Sequence, residues 1–246
     1  MSSLAISLSS IDEERFGIRT ARTDRLEPHS YSEALEYCRS KDVRLLIARC
    51  PTTDMPLVHR MEQDGFELMD TLVYYRRKLA TIPEIGDLDG IVIRPVRLGE
   101  EHLVEEIAAE SFRGYSSHYH ADPRLDVTLC DAAYRSWAVR SCVSREVADQ
   151  VLVADCEGRP IGFATLRLRP DGDGEGVLFG VAPAAQGRGL YSQLMLHGMK
   201  WCRSQDRRWM IVSTQVSNLA VQKVWVRLGF EASSSCYTFH KWFQDD

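Results

Sequence analysis

The chain has 246 residues, of which 44% are apolar and 26% charged, and a formal net charge of −5. This is the composition of an ordinary soluble globular protein with enough material for a large core. It excludes the basic footprint of a nucleic-acid binder, and no apolar run approaches the roughly 20 residues of a membrane helix. The opening Met1-Ser-Ser-Leu-Ala-Ile6 lacks the basic region and long apolar stretch of a signal peptide. Seven cysteines, an odd number with no C-x-x-C spacing, read as free thiols in a reducing cytoplasm. Neither a disulfide framework nor a metal site is expected.

In chain order, residues 14–25 read as a strand entering a basic, polar turn. Ser30-Tyr-Ser-Glu33 has the S-x-x-E spacing of a capping box, which predicts a helix through Arg39. Residues 43–48 form a short apolar strand, Met55–Gln63 a helix closed by Asp64-Gly65, and residues 66–78 alternate as a further strand. Residues 79–90 carry a proline, two glycines and acids and read as a linker, which divides the chain into 1–85 and 86–246. The second part opens with a strand at 91–96 and a helix at 100–112. An aromatic, histidine-bearing loop, Arg113-Gly-Tyr-Ser-Ser-His-Tyr-His120, precedes a helix over 127–144. A hairpin (150–155 and 160–168) and the tight turn Asp171-Gly-Asp-Gly174 lead into a strand and a helix over 190–202. Residues 209–214, 218–228 and 231–243 follow as strand, helix and strand. The order βααβββαβαβ predicts a mixed α/β (α+β) sandwich rather than a doubly wound parallel sheet.

A shift of 164 positions lays Gly65 on Gly229. Tyr37-Cys-Arg-Ser-Lys-Asp42 then falls on Trp201-Cys-Arg-Ser-Gln-Asp206, Asp54 on Asn218, and Gly65-Phe-Glu67 on Gly229-Phe-Glu231, without a gap. This register predicts that the first half repeats the helix–strand–helix–strand unit of the C-terminus. The first copy enters its helix through Pro28-His-Ser30, with no glycine turn, and is expected to bind no cofactor.

Val177-Leu-Phe-Gly-Val-Ala-Pro-Ala-Ala-Gln-Gly-Arg-Gly-Leu-Tyr191 joins an apolar strand, stopped by Pro183, to a helix start. Glycines let backbone come close, and first-turn N–H groups lack intrahelical partners and sit at the positive end of the helix dipole. That combination makes a place for an anion. Val181-x-Pro183-x-x-Gln186-Gly-x-Gly189, a long helix, an apolar strand and Asn218-x-x-Val-x-x-x-Trp225-x-x-x-Gly229-Phe230 together resemble the GNAT superfamily of acyl-CoA-dependent N-acyltransferases, over roughly residues 91–243. Ser213-Thr-Gln-Val-Ser-Asn218, the ending Cys236-Tyr-Thr-Phe-His-Lys-Trp242 and the degenerate first half further resemble TDP-fucosamine (4-amino-4,6-dideoxygalactose) acetyltransferase and its relatives. Those enzymes acetylate the 4-amino group of a nucleotide-linked 4-amino-6-deoxy sugar.

The resemblance implies a GNAT fold, with a mixed, mostly antiparallel central sheet splayed at the CoA site and preceded by a degenerate GNAT-like half. It implies acetyl-CoA as donor and a small-molecule amine, foremost a nucleotide sugar, as acceptor. Neither nucleic acid nor membrane is an expected partner, a homodimer is left open, and the expected location is the cytoplasm. The backbone of Phe179 and Val181 is expected to pair with the pantetheine arm, and Gln186, Gly187, Arg188, Gly189, Leu190, Tyr191 and Ser192 to surround the pyrophosphate. Asn218 either contacts the pantetheine or caps its helix, or does both. Arg188 meets a phosphate or stands in solvent.

Chemically, a neutral amine attacks the thioester, and a backbone N–H at Gly180 or Val181 is expected to hold the oxyanion. The family's usual acid is a tyrosine seven residues after the Asn, where this chain has Trp225, whose indole is a donor only. Trp225 is therefore expected to pack on the pantetheine or close the tunnel, or else to pack in the core. Tyr191 is bulky where the family has a small residue, and Ser213 stands where some members carry a basic Glu. Replacement acid–base candidates are His118, His120 and Glu175, with Tyr115, Tyr119, Gln215, Tyr237 and His240 as further acceptor-side residues. Three readings remain: an amino-sugar acetyltransferase, an acyltransferase for an amino acid, antibiotic or protein amine, and a non-catalytic acyl-CoA-binding protein.

Overall fold

The computed structural model describes residues 6–84, 86 and 88–243. The expectation for the opening residues 1–5 and the boundary position 85 lie outside them. Ten strands form a single sheet in the order β1-β2-β3-β10-β4-β9-β8-β7-β6-β5. They are β1 (Ile6–Leu8), β2 (Thr20–Thr23), β3 (Leu45–Pro51), β4 (Glu67–Lys78), β5 (Ile91–Pro95), β6 (Gln150–Cys156), β7 (Arg159–Leu168), β8 (Gly174–Val181), β9 (Trp209–Gln215) and β10 (Glu231–Trp242). The helices are α1 (Ser10–Phe16), α2 (Tyr31–Ser40), α3 (Met55–Gln63), α4 (Glu101–Ser111), α5 (Val127–Val143), α6 (Leu190–Ser204) and α7 (Leu219–Arg227). Only β2–β3 and β8–β9 run parallel.

Period-two alternation decides which helices each strand feeds. In β3, Leu46, Ala48 and Cys50 pack under α2 and α3, whereas Leu45 and Ile47 pack on the opposite face beside Phe16 of α1 and Cys130 of α5. In β6, Leu152 and Ala154 join the core of α6 and α7, whereas Val153 joins that of α4 and α5. Helices α2, α3, α6 and α7 thus cover one face, and α1, α4 and α5 the other.

The first ordered stretch corrects the sequence reading. Residues 14–16 end α1, and Gly17, in the left-handed region at φ 65°, turns the chain into β2. The helix forms because Ser9 and Asp12 bond across its first turn at 2.5 Å and Asp12 is anchored by Arg22, neither of which shows in periodicity. Nor does the capping box form at α2: the Ser30 hydroxyl turns back to the Glu27 carbonyl at 3.2 Å. The described residues of 79–90 form a connection, but an anchored one. Leu79 is buried, and Ile82 and Leu88 pack against the core of α6 and α7.

The sheet runs across the 85/86 boundary, because β10 lies between β3 and β4, and β4 lies between β10 and β9. The shift of 164 carries β3 onto β9, α3 onto α7 and β4 onto β10 with identical limits. It carries the left-handed Asp42 (φ 53°) and Gly65 (φ 78°) onto Asp206 (φ 58°) and Gly229 (φ 79°). The helix caps obey it too: Asp54 accepts from the Leu57 N–H and Asn218 from the Val221 N–H. Leu72 pairs with Cys236, its own counterpart, while Pro51 pairs with Cys236 and Gln215 with Leu72. A local two-fold axis therefore passes through the Leu72–Cys236 pair.

Candidate active site

Strand β8 holds β9 only from Gly174 to Gly176. A bulge at Val177 then breaks its register with β7, where Thr165 faces Leu178 but Leu166 faces Gly176. Beyond it β8 and β9 diverge. The Leu178 N–H donates to Thr165 Oγ1 at 3.0 Å and the Ala182 N–H to the Ile161 carbonyl at 2.9 Å, so even-numbered residues bond toward β7. The N–H groups of Phe179 and Val181 consequently face the gap. The same alternation turns the Gly180 N–H toward β7, which removes it as an oxyanion donor and leaves Val181. Gly180 is small for another reason: a Cβ there would lie 2.5 Å from Cε1 of the buried Phe163. Gly180→Ala should cost about 1–3 kcal/mol by overpacking. A thermal melt should show a drop of roughly 2–12 °C, with CoA affinity unchanged because the gap-facing N–H groups stay in place.

Past the strand, Pro183–Ala185 forms one tight turn, and Gly187 (φ 75°) and Gly189 (φ 82°) take left-handed conformations. No side chain caps α6 at Gly189, and a Cβ at either glycine would meet nothing within 4 Å. The first-turn N–H groups of Leu190, Tyr191 and Ser192 are thus presented to open space, a cradle of the kind that takes a pyrophosphate. Gln186 braces it, donating to the Val181 carbonyl at 3.0 Å. Arg188 is exposed and outside the cavity wall.

One cavity of about 1810 Å³ runs from this turn along the gap and out over the sheet face under α4 and α5. Phe179, Val181, Gly187, Gly189, Tyr191, Ser192, Asn218 and Trp225 line its end at the glycine turn. Asn218 caps α7 and also donates to Thr214 Oγ1 at 3.0 Å, so its side chain is fixed at the lip of β9. The Tyr115 hydroxyl donates to Gln215 beside it. The first half forms the far wall through Arg22, Arg49, Asp70, Leu72 and Tyr74, against Tyr134 and Trp137 of α5. Sequence reasoning missed Asp70, Tyr74 and Arg49. Their only advance signal was alternation in β4 and β3, which says which face they share but not that a site lies there.

The acid–base candidates separate. Glu175 lines the cavity where β8 begins to leave β9, with Arg169 3.7 Å away. Burial raises its pKa, and Arg169 and Arg167 offset this only in part. His120 lies outside the cavity wall, held by Ser117 at 3.0 Å and Asp131 at 3.1 Å. His118 lines the cavity, but its Nδ1 lies 2.9 Å from Nε2 of His240, whose Nδ1 lies 2.8 Å from Asp122. Asp122 accepts further bonds from Arg124 and Trp242. Burial raises the Asp122 pKa, but the bonds from His240, Arg124 and Trp242 prevail and hold it well below the usual carboxylate range. An ionised Asp122 fixes the proton on His240 Nδ1. In the neutral pair His240 then accepts from His118, leaving His118 Nε2 as an acceptor. Burial, reinforced by Arg22, lowers the His118 pKa and keeps the ring neutral. The ring sits over β10, however, with β4 and β9 between it and β8. At roughly 4.8 Å per strand that is about 14 Å from β8.

Trp225 is 3% exposed, and its indole N–H donates to the Tyr191 hydroxyl at 3.1 Å. Two of the three positions that depart from the family pattern, Trp225 and Tyr191, therefore touch each other. The Tyr191 ring lies 5.7 Å from Phe179 and the Trp225 ring 5.5 Å from Tyr75.

A model of the acetyltransferase (GNAT) family matches residues 104–230. The spore coat polysaccharide biosynthesis protein SpsD of Bacillus subtilis is 25% identical over 201 residues, covering 80% of this chain and 66% of that protein. A mycothiol acetyltransferase of Actinosynnema mirum is 29% identical over 157 residues, 63% of this chain and 50% of that protein. The chain thus spans about half to two thirds of the length of these relatives. A GCN5-related N-acetyltransferase from Kribbella flavida superposes with a TM-score of 0.66 over 98% of this chain and 88% of its own, at 14% identity. That likeness agrees with the expected fold, a mixed, mostly antiparallel sheet. Among the described residues no helix is long and apolar enough to cross a membrane.

Proposed function

Because the chain belongs to the acetyltransferase (GNAT) family, we propose that it moves an acetyl group from acetyl-CoA to the amino group of a nucleotide-linked 4-amino-6-deoxy sugar. The observation that carries this reading is the single cavity joining an uncapped, glycine-entered helix to a chamber walled by the first half. The donor end fits the cofactor: Leu190–Ser192 N–H groups for its pyrophosphate, and Phe179 and Val181 N–H groups for its amide-bearing arm. When bound, acetyl-CoA supplies the activated acyl carbonyl.

The chain's own residues do the rest. The Val181 and Phe179 N–H groups face carbonyl oxygen along the gap and stabilise developing negative charge. Glu175, at the apex of the splay and on the same strand about 13 Å from Phe179, takes the proton released by the amine through intervening water. Its raised pKa strengthens it as a base, and its action is lost as pH falls through that raised value. Arg22 and Arg49 face the anionic carrier of the acceptor, and Tyr134 and Trp137 offer faces for its base or sugar. His118 reads a hydroxyl at the far end of the chamber, too distant to take the proton of the attacking amine.

The name of SpsD, a polysaccharide biosynthesis protein, supports a carbohydrate acceptor. The mycothiol acetyltransferases favour a second reading, an acceptor of the kind those proteins are named for. We further read residues 1–85 as a degenerate copy that lost its glycine turn and became the acceptor wall, which the common register of the two halves supports. The test is CoA release with acetyl-CoA and a panel of amines, with products identified by mass. TDP-4-amino-4,6-dideoxyhexose is expected to give the highest kcat/KM. Turnover of another amine class with none on the nucleotide sugar would overturn the acceptor assignment while leaving the donor site intact.

A further inference from the structure

We propose that Tyr191 is the acid that protonates the leaving sulfur, taking over the role left open by Trp225. This rests on reading the gap as the acyl-CoA site. A tryptophan cannot release its indole proton near neutrality, but it can donate a hydrogen bond, and Trp225 gives that bond to the Tyr191 oxygen at 3.1 Å. With a lone pair of that oxygen engaged, the phenol's own O–H is left to donate elsewhere. Among the described residues the Tyr191 O–H has no acceptor, while its ring lines the gap beside Phe179, whose backbone faces the same gap.

Tyr74, Tyr115 and Tyr119, also on the cavity wall, are less suited, and Tyr134 stands on α5, its ring stacked on Phe112 and packed edge-on against Tyr115. The Tyr115 O–H is committed to Gln215 and the Tyr119 O–H to Asp12 at 2.6 Å. Tyr74 stands on β4, beyond β9 from the gap. Burial raises the Tyr191 pKa, which keeps the proton on oxygen until it is needed, and the Trp225 bond works in the opposite direction by stabilising the phenolate. Trp225 and Tyr191, two of the three departures from the family pattern, thus form one device: the tryptophan supplies the hydrogen bond and the neighbouring helix supplies the proton.

The step balances as follows. The amine lone pair forms the C–N bond, the C–S bond breaks with its electron pair going to sulfur, and the Tyr191 proton passes to that sulfur. Glu175 takes the proton the amine gives up, and the phenolate, held by the Trp225 N–H, is reprotonated from solvent as Glu175 releases its proton there, so one proton leaves nitrogen and one reaches sulfur. Tyr191 is then a catalytic residue, and Trp225 a positioning residue that acts through it.

The test compares acetyl-CoA with acetyl-seleno-CoA, whose selenolate leaves without needing a proton. Tyr191→Phe is expected to lower kcat on acetyl-CoA by about 100-fold, in the range of general-acid catalysis, and on the selenoester by less than about threefold. Trp225→Phe should lower kcat by a smaller factor, and the double variant should be no slower than Tyr191→Phe alone. A second readout needs no turnover: wild type should bind CoA more tightly than desulfo-CoA, and Tyr191→Phe should erase that preference. Equal losses on both donors, an unchanged rate on acetyl-CoA, or a preference that survives the substitution overturns the assignment. CoA release is followed with amines and with water alone. A wild type that transfers to no amine overturns the transferase reading, whereas the hydrolysis ratios and the binding preference still decide the role of Tyr191.

Discussion

Gly189→Trp should abolish measurable binding of CoA, a loss of at least about 100-fold, while the protein still folds. Two observations separate these effects. Gly189 sits at φ 82°, so an L-residue there costs roughly 1–2 kcal/mol. Nothing lies within 4 Å of the Cβ position, so the indole extends into open space without displacing the core. That open space is where the N–H groups of Leu190–Ser192 point, and a bulky ring there shields them from any phosphate. Calorimetric titration with CoA should show no heat of binding, and the melting temperature should fall by only about 2–8 °C. Tight CoA binding by a folded Gly189→Trp would remove the glycine turn from the cofactor site. Gly187→Ala is the milder control, because it adds strain at φ 75° and little bulk.

Asp12→Asn should be the most destabilising of the conservative changes, at about 3–5 kcal/mol. Asp12 is completely buried and accepts from Arg22, Arg15, Ser9 and Tyr119. An amide in its place leaves two guanidinium groups about a site with no negative charge. Burial raises the Asp12 pKa, but the charge and bonds of Arg22 with those of Ser9 and Tyr119 outweigh it, so the folded pKa lies below the ordinary value. The sign follows from linkage. A carboxyl with a depressed folded pKa stabilises fully above its unfolded pKa of about 3.9, and loses that contribution as pH falls through the folded value. Wild type and Asp12→Asn should therefore differ by roughly 6–20 °C in melting temperature at pH 7. The gap should narrow as the pH is taken below about 4. A gap that stays constant into acid would mean that Asp12 stabilises by packing and neutral bonds rather than by charge.

Local pattern was a good guide wherever a segment's neighbours lie close in sequence. Met55–Gln63 was bounded to the residue because Asp54, Pro56 and Gly65 mark its ends chemically. The repeat at 164 positions was legible because turn and cap residues resist substitution: Asp42 with Asp206 and Gly65 with Gly229 hold the same left-handed geometry. Helix α1 was missed because its stability comes from Arg22 reaching back to Asp12, a contact with no periodicity. The site divides in the same way. The glycine turn and Asn218 were readable as local motifs. The bulge at Val177, which decides that Val181 and not Gly180 faces the gap, is a property of pairing with β7. Tyr191 and Trp225 each looked like a loss when read alone, since their meeting requires α6 and α7 to pack side by side.

The placement of β10 between β3 and β4 has a consequence for synthesis on the ribosome. Strands β3 and β4 leave the exit tunnel early, yet the strand that joins them is translated after all the other strands. Until it arrives, both of those long strands carry unsatisfied edges, the condition under which sheets recruit one another. The nascent chain is therefore aggregation-prone until β10 emerges, and a chain truncated ahead of Glu231 should yield insoluble material rather than a shortened enzyme.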